Sequence, residues 1–111
     1  MKRLLLIFGI CFFTFCAPDE SRGQAPAVIK KVVIDAGHGG KDPGALGKNS
    51  REKDIVLSVA LKTGKYINEA YPGVEVIYTR KEDVFVELHK RAQIANESGA
   101  DLFISIPVSY T

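Results

Sequence analysis

Apolar residues along this chain fall into blocks with two different periods. Residues 31–35 form a short β-branched run that ends on the carboxylate of Asp35 and suits a buried strand. Over residues 54–70 the polar positions Asp54, Ser58, Lys62, Lys65 and Glu69 recur at steps of three and four. That spacing leaves Val56, Val59, Ala60, Thr63 and Ile67 on the opposite side of an amphipathic helix. Tyr71-Pro72-Gly73 ends it, because proline disfavours helical geometry in the residue before it and glycine permits a turn. Residues 74–79 read as a second strand and residues 80–83 as a charged loop. Leu88, Ala92, Ala95 and Gly99 share one face of a second helix over residues 87–98, and residues 102–106 make a third strand.

Strands that alternate with single helices pair in parallel through right-handed crossovers. The predicted class is therefore α/β, a βαβαβ arrangement in three layers with a mainly parallel sheet. In open parallel sheets ligands gather at the carboxyl ends of the strands. Here that rim comprises the loop after Asp35, the segment after Thr79 and whatever follows Ile106.

The first residues differ in kind from the rest. Lys2 and Arg3 precede an almost unbroken apolar stretch over residues 4–15, and small and polar residues follow over residues 16–27. This pattern reads as a secretory signal. The stretch is well short of the ~20 residues that a permanent transmembrane helix needs. Residues 1–27 are accordingly expected to be signal peptide and leader or tether, and residues 28–111 the folded part. An exported protein of the periplasm or cell envelope is expected. Cys11 and Cys16 both lie in or at the edge of the apolar segment, which leaves residues 28–111 without a thiol for a disulfide, a zinc thiolate or a nucleophile. Cys16 would also serve as the acceptor of a lipid anchor, although Phe15 stands where such sites have a small residue. A net charge of +2, with acids interleaved among the bases, sets nucleic acid aside as a partner.

The loop that follows the first strand runs to roughly fifteen residues, beyond the few that usually join a strand to a helix. It is rich in glycine and contains "IDAGHGG" at residues 34–40. A phosphate-binding loop fails on inspection, because Asp42 stands where the leading glycine belongs and Asn49 where a hydroxyl belongs. Glu52, at the entry to the first helix, has a structural reading: Asn49 as N-cap with Glu52 three residues on approximates a capping box. His38 alone reads as a loop histidine bonded to backbone. The pair reads differently, since a histidine behind the first strand and a carboxylate at the start of the next helix face one rim and suit Zn²⁺ as ligands.

From Val32 onward the sequence resembles the catalytic domain of the zinc-dependent N-acetylmuramoyl-L-alanine amidases, bacterial cell-wall hydrolases. The resemblance runs through "VVIDAGHGGKDPGALG", "REKDIVLSVALKTGKYI", "VIYTRKED", "HKRAQIAN" and "ADLFISI", in that order. It implies that His38 and Glu52 are zinc ligands, that peptidoglycan is the substrate, and that the bond cut joins N-acetylmuramic acid to the L-alanine of the stem peptide. It also implies a third ligand, a histidine directly after the "FISI" strand, where this sequence has Pro107. Further strands and helices, and a glutamate acting as general base, would follow. The chain is therefore expected to be a C-terminally truncated version of the domain with an incomplete zinc site, no assigned catalytic residue and little activity. A non-catalytic peptidoglycan-binding or regulatory role is the alternative. His89, at the start of the second helix, is a geometrically conceivable substitute ligand, and Arg80 reads either as a partner for a substrate carboxylate or as a member of a surface ion pair with Glu82 or Asp83.

Overall fold

The computed structural model describes residues 27–106. The expected leader with Cys16, and the positions from Pro107 onward, lie outside the described residues. The elements run β1 (Lys31–Ala36), α1 (Glu52–Ala70), β2 (Glu75–Tyr78), α2 (Leu88–Ser98) and β3 (Leu102–Ile106). This is the alternation that the two hydrophobic periods predict. Among the described residues no helix is long and apolar enough to cross a membrane.

β1 lies in the middle of the sheet, with β2 and β3 parallel to it on either side. The order matters, because right-handed crossovers that run in opposite directions along a sheet place their helices on opposite faces. Side-chain alternation along β1 shows this directly. Val32, Ile34 and Ala36 point to one face and form the buried cluster with Ala60 of α1. Asp35 points to the other face, where Arg91 of α2 meets it at 2.8 Å. Three layers result, helix on sheet on helix. The reversal of winding direction opens a crevice at the carboxyl end of β1, beside β3.

The inward stripe of α1 is Val56, Ala60 and Gly64, with Ile67 partly buried beyond them. Val59, expected on that side, is 43% exposed. It stands one residue before Ala60, about 100° around the helix from the stripe. Gly64 shows what sets the stripe: a Cβ there would lie 1.8 Å from the Tyr78 hydroxyl oxygen and 2.5 Å from Cζ. α1 thus approaches β2 closely enough for the Tyr78 ring to fill the space that a side chain would take.

α2 departs further from expectation. Leu88 and Ala92 are both exposed, Leu88 at 84%. The residue that turns inward is Arg91, only 5% exposed. The cause is what waits for it on the sheet, namely a carboxylate and several carbonyl oxygens. A guanidinium satisfies these groups, whereas a leucine would leave them buried and unpaired.

At the opposite end of β1, Asp101 ties the α2–β3 turn to the entering chain. Its Oδ2 accepts the backbone N–H groups of Lys30 at 2.8 Å and Lys31 at 2.9 Å. These two donors hold its pKa below the ordinary carboxylate value. A carboxylate whose folded pKa is depressed stabilises the fold above its unfolded pKa, and that contribution disappears as pH falls through the folded value. Asp101→Asn should therefore lower the urea midpoint at about pH 7, and the gap to wild type should narrow progressively as pH falls through the depressed Asp101 pKa and the carboxylate takes up its proton. An equal gap at every pH would contradict the assignment. For Gly64→Ala, overpacking against Tyr78 outweighs the gain in helix propensity, and a net loss of about 1–2 kcal/mol is expected by urea denaturation. A stabilised variant would show that α1 has room to withdraw.

Candidate functional site

β1 delivers the chain to the rim at Ala36, and the next residues turn sharply. His38 has φ of 57°, the one non-glycine residue with positive φ among those described. A side chain in this region carries backbone strain, so its surroundings must hold it there. Two reciprocal backbone bonds do part of this, Gly39 N–H to the Asp42 carbonyl at 2.9 Å and Asp42 N–H to the Gly39 carbonyl at 3.1 Å. The turn packs tightly, since a Cβ on Gly39, itself at φ of 118°, would lie 2.2 Å from the Val84 carbonyl oxygen.

The turn aims the His38 ring between two carboxylates. Nδ1 stands 2.9 Å from Asp42 Oδ2, and Nε2 stands 3.1 Å from Glu52 Oε1. Asp42 is itself oriented, because its Oδ1 accepts the Gly44 N–H at 3.0 Å. Glu52 is only 6% exposed, and its Oε2 accepts the Ala45 N–H at 2.7 Å. Gly44 lets the loop close over the pair: a Cβ there would lie 2.7 Å from Glu52 Oε2 and 2.8 Å from His38 Cδ2.

Glu52 opens α1, and the residue at the N-cap is Arg51, whose side chain makes no capping bond. The capping-box reading with Asn49 is thus corrected. The Glu52 carboxylate is drawn out of the helix by the Ala45 amide and the imidazole, both of which lie on the loop. Its backbone N–H is instead taken by the Ala45 carbonyl at 2.9 Å.

Electrostatics follow the geometry. The His38 pKa is raised, first by its hydrogen bond to Asp42, with partial desolvation acting the other way and the Glu52 charge adding to the rise. Asp42 is correspondingly lowered, mainly by His38. Each ring nitrogen thus faces an acceptor. Without a metal, both nitrogens are placed to donate, Nδ1–H to Asp42 and Nε2–H to Glu52; an ion that displaced the Nε2 proton would leave Asp42 holding the Nδ1 proton, the tautomer that a metal-ligating histidine needs.

The separation suits one ion held by both groups. Zn²⁺ bonds of about 2.0–2.2 Å to nitrogen and oxygen at a tetrahedral angle put the two donors about 3.3–3.4 Å apart. The observed 3.1 Å is within a small ring movement of that value. His38 and Glu52, expected as a pair, are therefore brought together. Asp42, four residues beyond His38, escaped the sequence reading, although an acid returning across two glycines was the available signal.

Among the described residues no group of three or more His, Cys, Asp or Glu side chains has a geometry suited to a metal. His89 is exposed and lines the same cleft as His38, a space of about 650 Å³ that also touches Asp35, Val86 and Ser105. It does not join the pair. Arg80, read from sequence as a substrate or surface partner, is 3% exposed and committed to backbone carbonyls. Its neighbour in the expected ion pair, Asp83, bonds Lys53 Nζ at 2.6 Å instead.

Most of the described chain is similar to known proteins. The family model described as N-acetylmuramoyl-L-alanine amidase matches residues 32–108. The sporulation-specific N-acetylmuramoyl-L-alanine amidase of Bacillus subtilis is 43% identical over 79 residues, which cover 71% of this chain and 31% of that protein. The endolysin of Bacillus phage SPP1 is 48% identical over 82 residues, 74% of this chain and 30% of the relative. The chain therefore spans about a third of the length of these relatives. Among solved structures, the catalytic domain of the amidase CwlV from Bacillus (Paenibacillus) polymyxa superposes with a TM-score of 0.69 at 42% identity, covering 75% of this chain and 47% of that one. The amidase AmiC2 of Nostoc punctiforme gives 0.63 at 42% identity, covering 68% and 41%. Fold, ordered motifs and matched residues agree, and the chain belongs to the N-acetylmuramoyl-L-alanine amidase family.

Proposed function

We propose that residues 28–111 supply the His38–Glu52 part of a zinc site in a peptidoglycan hydrolase of the cell envelope. The bond it acts on would join N-acetylmuramic acid to the L-alanine of the stem peptide. The observation that supports this most is the 3.1 Å approach of His38 Nε2 to Glu52 Oε1, with Asp42 behind the imidazole. A loop histidine bonded only to backbone would have no need of a carboxylate on each ring nitrogen.

Each residue has a distinct task. On giving up its Nε2 proton, His38 would offer that nitrogen to the ion, with Asp42 holding the ring in the required tautomer by accepting the Nδ1 proton. Glu52 offers Oε1, while the Ala45 amide fixes the other oxygen. A zinc ion held by His38 and Glu52 would supply Lewis-acid polarisation of a scissile carbonyl and would acidify a water beside it. The cleft beside His38 gives an extended substrate a place along the rim. Export through residues 1–27, by cleavage or with a lipid on Cys16, would deliver the chain to its polymer.

Pro107 bears on how strong this site is. Its ring nitrogen is part of a tertiary amide and has no lone pair for a metal, so this polypeptide is expected to bind zinc weakly and to hydrolyse wall slowly. The same proline favours a second reading, a module that binds peptidoglycan without cutting it.

Titration calorimetry with Zn²⁺ tests the pair. His38→Ala should abolish binding, and Asp42→Asn should weaken it about 10–100-fold, as loss of a ligand's hydrogen-bond partner does. Unchanged affinity in both variants would remove His38 from the metal. Pro107→His should raise zinc affinity at least about tenfold by adding an imidazole donor. The same variant should accelerate stem-peptide release from purified peptidoglycan. If the native chain releases stem peptides as fast as Pro107→His, the weak-site reading is wrong. If it binds the polymer equally well with zinc chelated and never cuts it, the binding reading prevails.

A further inference from the structure

Two arginines converge on the backbone that presents His38. Arg80 follows β2 and reaches across from the α1 side. Its Nε donates to the Ala36 carbonyl at 3.0 Å, and its Nη2 donates to the Gly37 carbonyl at 2.7 Å and to the Lys53 carbonyl in the first turn of α1 at 2.9 Å. Arg91 reaches in from α2 on the opposite face. Its Nη1 donates to the Ala36 carbonyl at 2.6 Å and to Asp35 Oδ1 at 2.8 Å, and its Nη2 donates to the His38 carbonyl at 2.8 Å. Three successive carbonyls, those of residues 36, 37 and 38, are thus gripped by guanidinium groups that are 3% and 5% exposed.

Burying two like charges side by side is costly, and an apolar filling would close the sheet at lower cost. What apolar groups cannot do is fix the orientation of peptide planes. Charge-assisted bonds from a planar fork fix both distance and direction. The planes they fix lie immediately before His38 and at it, where φ is 57°. A rotation of these planes would swing the imidazole away from Glu52.

We infer that Arg80 and Arg91 are positioning residues for His38: they lock the peptide planes from Ala36 to His38 and so hold the imidazole on the Glu52 side of the rim. This rests on the proposed metal role of His38, since positioning has a purpose only if the ring must point there. Arg91 is the decisive member, because its fork alone links α2, the Asp35 carboxylate and the His38 carbonyl. α2 therefore contributes to the site through an inward arginine and not through a ligand.

The test uses the full chain, ¹⁵N-labelled and metal-free. Two readouts serve: the imidazole nitrogen resonances of His38, which report the Nδ1–H bond to Asp42, and amide exchange at Gly39 and Asp42. Arg91→Lys keeps the charge but cannot span the carbonyls, and it should shift the His38 signals and speed exchange at both amides at least about tenfold. Asp101→Asn, which loosens the far end of β1, should leave both readouts as in wild type. If Arg91→Lys fails to fold, Arg80→Lys removes the fork on the Ala36 and Gly37 carbonyls while leaving the Asp35–Arg91 pair intact, and the same changes are expected from it. Unaltered His38 resonances in the folded arginine variant would overturn the inference, as would equal changes in Asp101→Asn, which would reduce the role to general stability. Zinc titration of the same samples separates the two levels. A wild-type chain that takes up no zinc counts against the metal reading alone, while the metal-free readouts still decide whether Arg91 positions the ring.

Discussion

The Asp35 carboxylate is the interaction on which the rest of the structure depends. It sits at the end of the central strand and is 6% exposed. Oδ1 accepts the Thr79 hydroxyl at 2.7 Å and Arg91 Nη1 at 2.8 Å, and Oδ2 accepts the Ser105 hydroxyl at 3.3 Å. One side chain thereby joins β1 to the residue after β2, to α2 and to β3. A buried carboxylate is tolerated only with such partners. Once it has them, the register of all the strands is coupled at the rim, since a slip of one residue would turn Asp35 to the apolar face shared with α1.

From this anchor the site is assembled by backbone more than by side-chain packing. The roughly fifteen-residue loop between β1 and α1 holds its shape through amide bonds to carboxylates and through glycines that admit close neighbours. Gly40 N–H donates to Asp83 Oδ1 at 2.7 Å, and Lys53 Nζ bonds both the Gly40 carbonyl and Asp83. Among the described residues every buried side-chain nitrogen or oxygen has a partner. The loop is thus a polar framework closed on itself, suited to holding an imidazole and a carboxylate at fixed separation. In the proposed zinc site, rigid preparation of this kind would spare the cost of ordering the two side chains on binding.

Much of the fold was legible in the chain. Strand and helix positions follow from the β-branched runs at 31–35 and 102–106 and from the polar spacing over 54–70, and the alternation alone dictates parallel strands. What pattern misplaced were the residues that break the hydrophobic rule. Arg91 looks like a solvated helix residue because periodicity counts it as polar, while Leu88 looks buried for the converse reason. Asp35 shows the same difficulty: its partners come from residues 44, 56 and 70 positions away, so no local window contains them.

The candidate site was legible in part. A histidine and an acid could be assigned to one rim from topology as a candidate ligand pair, but Glu52 also fits a capping box with Asn49, and it was the ordered family motifs that decided for the metal reading. The geometry now supplies the physical reason, a buried carboxylate turned away from the helix end and toward an imidazole. Asp42 went unread because its role exists only once the glycine turn has folded it back.

The most direct measurement is anomalous diffraction at the zinc edge from crystals of the chain grown with Zn²⁺. The account predicts a single strong peak between His38 Nε2 and Glu52 Oε1, about 2.0–2.2 Å from each. A zinc peak elsewhere, with the His38 ring still closed directly on Glu52, would contradict it.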